Sequence, residues 1–123
     1  MQGYRPIVRV LNRCPVTLFA VFPSPIGEWD AFTLVVEGDI DAAAAPTFAD
    51  AVRAAISVLA GRRLILDFTG VTNLDSTGLR VLAFAQVACQ QVGSTLTLRR
   101  APPSVRRVLE NGGLAHEIDI EPF

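Results

Sequence analysis

The apolar positions of this chain fall into short blocks whose spacing changes along the sequence. Val16 to Phe22, VTLFAVF, is an almost unbroken apolar run of strand length, and Phe32 to Ile40, FTLVVEGDI, is a second. Ser24 to Ala31 between them supplies proline, glycine and acidic turn residues, which predicts an antiparallel hairpin. From Pro46 to Ala60 the period becomes helical, with Phe48, Val52, Ala55, Ile56 and Leu59 on one face. Pro46 suits a first turn, where its missing N–H leaves nothing unsatisfied, and Gly61 follows where a helix-ending glycine belongs. Leu64 to Phe68, LILDF, predicts a central strand covered on both faces or nearly so, interrupted by Asp67 and ending at Thr69-Gly70. Beyond it the pattern predicts a broadly apolar helix over Leu79 to Val92 and a strand over Thr95 to Leu98. A helix capped by Ser104 then runs to Asn111, and a last strand lies near Glu117 to Ile120. The first dozen residues show no clean period and stay unassigned, either an extension or an added edge strand.

Strand and helix alternate after the opening hairpin, in the order β-β-α-β-α-β-α-β. That order predicts an α/β domain: a mixed, mostly parallel sheet with an antiparallel N-terminal edge hairpin, packed with three or more helices. Sites in such sheets gather where strands end and helices begin. Two loops are singled out, Gly38 to Ala45 and Thr69 to Gly78.

Size and composition narrow the function. A chain of 123 residues closes one hydrophobic core, and 50% apolar with 19% charged residues describes a globular protein. A net charge of −1 gives no general attraction to nucleic acid. The pairs Arg62-Arg63, Arg99-Arg100 and Arg106-Arg107 read as solvated faces, with a phosphate-binding patch the alternative, and no aromatic residues are interleaved. Cys14 and Cys89 have no metal-ligand or C-x-x-C spacing; a redox bridge between them is the alternative to two inert thiols. The uncharged stretch Cys14 to Gly27 is broken by Pro15, Pro23 and Pro25, and Val81 to Leu98 carries amides and hydroxyls that lipid would leave unsatisfied. The expectation is a cytoplasmic protein with no membrane span, no metal and no cofactor.

In the second loop, VTNLDSTGLRVL, the residues Asp75, Ser76 and Thr77 are all good helix N-caps, and a capped helix is the plain reading. The functional reading is that a serine at a helix mouth has free N–H groups and the positive dipole end beside it, where an added phosphate would be held. Gly78 removes a side chain that would crowd that loop. In the first loop Pro46 disfavours helical geometry at Ala45, so the helix is expected to start too late for Asp41 to cap it. Asp41 is then free, either as a functional carboxylate or as a local turn former.

Gly38-Asp39-Ile40-Asp41 closing a strand, a proline-led helix, a strand, and Leu74-Asp75-Ser76-Thr77-Gly78-Leu79 opening a second helix together resemble the STAS domains of bacterial anti-sigma factor antagonists. The resemblance runs from about Val16 to Ile120 and divides the chain into an N-terminal extension, 1–15, and a STAS domain, 16–123. It implies a partner-switching cycle. The unmodified antagonist binds an anti-sigma factor that is also a serine kinase, a sigma factor is released, and phosphorylation of the serine after the aspartate ends the complex. That serine is Ser76, with Thr77 its neighbour; Asp39, Asp41, Asp75, Thr77 and Gly78 are the implied partner-binding positions. No small-molecule ligand is required. Asp39 stands where glutamate is commoner, and the extension with Cys14 departs from the pattern. Relatives in stress-sensing scaffolds and lipid-transport complexes make a non-switching interaction subunit the alternative. An enzyme would need Ser76 as nucleophile with His116, the single histidine, as base, but the G-x-S-x-G setting is missing, and no catalytic residue is assigned.

Overall fold

Along the middle strand of the sheet, Leu64, Leu66 and Phe68 are fully buried on one face while Asp67 between them is only partly covered. This period of two is the signature of a sheet with one face on the core, and Ile65, buried on the opposite side, shows that the other face is not bare there. The computed structural model describes residues 8–11, 18–24 and 29–121. Strand β1 (Val8–Leu11) pairs antiparallel with β2 (Leu18–Pro23), and β2 pairs antiparallel with β3 (Ala31–Ile40). Then follow α1 (Ala45–Ser57), β4 (Arg63–Leu74), α2 (Ser76–Gln91), β5 (Leu96–Arg99), α3 (Pro103–Asn111) and β6 (Asp119–Ile120). The six strands lie side by side in sequence order, with β3 through β6 parallel. The α/β class, the antiparallel edge and the three helices are those the pattern predicts. The strand β1 falls within the stretch left unassigned.

Each β-α-β connection steps the same way across the sheet, and right-handed crossovers then place all three helices on one face. The core confirms this: Leu34, Val36, Leu66, Phe68 and Leu98 from the strands join Phe48, Val52, Leu82, Ala85, Val105 and Leu109 from the helices in one cluster. Phe48 lies at its centre, with ring centroids 6.3 Å from Phe19 and 6.2 Å from Phe68. Burying each such ring contributes roughly 1.5–3 kcal/mol, and the edge-on and tilted ring pairs add to it. Cys89 is buried in the same cluster, and burial pushes its thiol up to about 11, so it stays a small apolar filler at neutral pH. Cys14 lies outside the described residues, and the bridge between the two with it.

Three expectations about element ends need correction. The strand that Thr69-Gly70 was expected to end continues to Leu74, because β4 absorbs extra residues as bulges against β3. Val35 faces Asp67 and Glu37 faces Gly70, so Phe68 and Thr69 share the space opposite Val36; Gly38, at φ 98°, sits beside the second irregularity. The helix α1 begins at Ala45, with Ala44 already helical despite the proline that follows. And α3 opens behind Pro102 with no side-chain cap, so Ser104 lies inside the first turn.

Candidate functional site

Parallel strands bring their C-terminal ends to one edge, and here β3 and β4 are neighbours in register to the last residue: Asp39 faces Asn73 and Ile40 faces Leu74. The two loops singled out in the sequence therefore meet. Because β4 runs so far, the second loop shrinks to one residue, Asp75, between strand and helix. The Asp75 N–H donates to the Ile40 carbonyl at 3.2 Å, fastening the helix start to the end of β3.

Asp75 is the N-cap of α2. Its carboxylate accepts from the Thr77 N–H at 3.0 Å, from the Gly78 N–H at 3.2 Å and, in a short hydrogen bond, from the Thr77 hydroxyl. The Thr77 hydroxyl holds the Asp75 carboxyl below the usual aspartate value; partial burial opposes this, and the N–H groups of Gly78, Thr77 and Ala42 reinforce it. Ala42 belongs to the first loop, so that loop also lowers this carboxyl, while the bond that fastens the two loops is the one from the Asp75 N–H to the Ile40 carbonyl.

Asp41 is not free, contrary to expectation. Its carboxylate accepts from the Ala44 N–H at 3.0 Å, and its carbonyl accepts from the N–H groups of Ala44 and Ala45 at 3.1 and 2.9 Å. It builds the turn that leads into α1, the local role that stood beside the functional one. Asp39 is partly exposed near the edge, and the Thr72 hydroxyl approaches it at 3.5 Å. Gly78 lies beneath this surface. A Cβ there would come within 2.5 Å of Leu74 Cδ1 and 2.7 Å of Ile40 Cγ2, so glycine is what lets α2 start so close to both strands.

Ser76 is the first residue of α2 and is exposed, and its hydroxyl has no partner among the described residues. The N–H groups expected to be free beside it are not: those of Thr77 and Gly78 are held by Asp75. Two contributors went unforeseen, the Ile40 carbonyl and the Ala42 N–H. Only the parallel register of β3 and β4, which no local pattern encodes, would have pointed to them.

His116 precedes β6, at the N-terminal end of the parallel strands, while Ser76 follows β4 at the C-terminal end. The serine and the single histidine therefore sit at opposite ends of the sheet, which excludes a hydrolase pair. Among the described residues no group of three or more potential ligands is arranged for a metal ion, and no helix is long and apolar enough to cross a membrane.

Among the described residues, the edge where β3 and β4 end thus carries a capped helix start with an exposed serine. Residues 28–121 match the family model described as "Mlab, STAS domain", and the chain belongs to the STAS-domain family. No curated protein matches it. Among solved structures it resembles an anti-sigma factor antagonist from Mycobacterium paratuberculosis, at 24% identity and a TM-score of 0.68, covering 84% of this chain and 86% of that one. The antagonist SpoIIAA in its unphosphorylated form gives 18% identity and a TM-score of 0.68 over 84% of this chain and 89% of that one. The phosphorylated form of the Bacillus cell fate determinant SpoIIAA gives 17% and 0.63 over 84% and 92%.

Proposed function

We propose that this protein is an anti-sigma factor antagonist that works in the cytoplasm and is switched off by phosphorylation of Ser76. The observation that carries the reading is the geometry of Asp75-Ser76-Thr77. The flanking residues are locked together by hydrogen bonds, and the serine between them is exposed with its hydroxyl unengaged. The similarity to SpoIIAA, whose structures include both an unphosphorylated and a phosphorylated form, supports it. The partner is an anti-sigma factor with serine kinase activity, and no direct nucleic-acid contact is needed. The kinase transfers the γ-phosphoryl group of ATP to Ser76 Oγ, the hydroxyl proton leaves, and ADP remains.

Phosphate adds roughly −1.5 to −2 charges at an edge that already carries Asp39, Asp41 and Asp75. At about 6 Å and an effective dielectric near 20, each unit pair repels by about 3 kcal/mol before salt screening. Water screens this in the free protein, and a docked partner removes the water. A net loss of about 3 kcal/mol weakens binding on the order of a hundredfold. Calorimetry against the purified kinase-type anti-sigma factor of the same organism tests it. Ser76→Ala binds like the unmodified protein and Ser76→Asp binds far more weakly, whereas equal affinities contradict the switch.

The second reading is a non-switching STAS interaction subunit of a stress-sensing or lipid-transport complex. In that case Ser76 is never modified and Ser76→Asp leaves the complex intact.

A further inference from the structure

A phosphate on Ser76 meets a helix end at which the N–H groups of the three residues that follow are already engaged. The N–H groups of Thr77 and Gly78 donate to the Asp75 carboxylate, and the Leu79 N–H donates to the Asp75 carbonyl at 3.0 Å. The titratable groups facing this position from the neighbouring segments are anionic: Asp75 on the strand-to-helix connection, and Asp39 and Asp41 at the end of β3. On α1, Arg53 is paired with Asp50 at 3.1 Å and lies 5.1 Å from the centre of the Phe84 ring. The surplus charge needs a different cation.

Arg80 stands four residues after Ser76 on α2, and both are exposed. Residues at that spacing lie one above the other with Cβ atoms about 6 Å apart, and acid before base is the favourable order. Helical side chains lean toward the N-terminus, so the long Arg80 side chain covers the turn in which Ser76 sits. Arg80 forms no ion pair among the described residues.

We propose that Arg80 receives the phosphate: modification of Ser76 draws the Arg80 guanidinium one turn back along α2 into a charge-assisted pair within the same helix. The inference rests on the reading of Ser76 as the phosphate acceptor and adds a second half to the switch. In the unmodified protein Arg80 points to solvent, open to a carboxylate of the partner. Phosphorylation then does two things at once, placing negative charge at the edge and withdrawing the positive charge beside it.

The test needs no partner protein. Phosphoserine is installed at position 76 during translation, and phosphorus NMR follows its second ionisation in the wild type, Arg80→Gln and Arg80→Lys, with melting curves confirming that each is folded. The wild-type phosphate ionises about half a pH unit below that of Arg80→Gln. Arg80→Lys recovers part of the difference, and about 1 M salt removes it. Asp39, Asp41 and Asp75 are common to all three proteins and cancel. Coincident titrations of the wild type and Arg80→Gln overturn the proposal without touching the switch. A Ser76 that is never phosphorylated in its own cells overturns the switch while leaving the titration difference in place.

Discussion

The Asp67 carboxylate accepts from the Thr69 N–H at 3.0 Å and from the Thr69 hydroxyl at 2.6 Å. Later in the chain the Asp75 carboxylate accepts from the Thr77 N–H at 3.0 Å and from the Thr77 hydroxyl. Both turns read Asp-x-Thr, and both use the aspartate to satisfy backbone where a regular ladder is interrupted. What differs is the residue between. In the first turn it is Phe68, fully buried against Phe48, and the turn bulges a strand. In the second it is Ser76, exposed at the start of a helix. The same local device serves the core in one place and presents a hydroxyl to solvent in the other, so the middle residue and the element that follows decide the role.

The largest effect should separate the two middle residues. Phe68→Ala is expected to cost about 3–5 kcal/mol in urea denaturation, since it empties the centre of the core. Ser76→Ala should stay within about 0.5 kcal/mol, as a surface change does. Comparable losses at both sites would dissolve the contrast. Next comes Gly78→Val. The buried position and the approaches to Leu74 and Ile40 predict a loss of about 1–3 kcal/mol in stability. An unchanged denaturation midpoint would mean that α2 is not held tightly against the strand ends.

Smaller effects test the two aspartates. Asp75→Ala removes an N-cap and is expected to cost about 1–2 kcal/mol, against about 1 kcal/mol for Asp67→Ala. The Asp75 term depends on pH. Its carboxyl is held below the usual aspartate value, so the stabilisation is fully present above about pH 4 and is lost as pH falls through the lower folded value. Acid denaturation of Asp75→Asn should therefore be flatter than that of the wild type in that window. Parallel curves would remove the Asp75 carboxylate as the ionised cap of α2.

The fold was largely legible because helical spacing in Phe48, Val52 and Leu59 and strand-length apolar runs are local signals. The site was legible in its residues and not in its wiring. Asp41 looked free because the proline rule argues from one residue to the next, while Ala44 and Ala45 in fact fold back onto Asp41. The length of β4 was hidden because Thr69-Gly70 resembles a strand end; the bulge that carries the strand past it depends on pairing with β3. The crowding expected at Gly78 was legible, but its source, Leu74 and Ile40 at the strand ends beneath it, was not.

The central claim is that the exposed residue of the second turn is the one modified in the cell. Mass spectrometry of the protein recovered from its own cells, with fragmentation to assign the position, addresses it directly. The account predicts a phosphate-sized gain on Ser76 that disappears in Ser76→Ala. An unmodified serine under every growth condition, or a phosphate assigned to Thr77, whose hydroxyl is committed to Asp75, would contradict it.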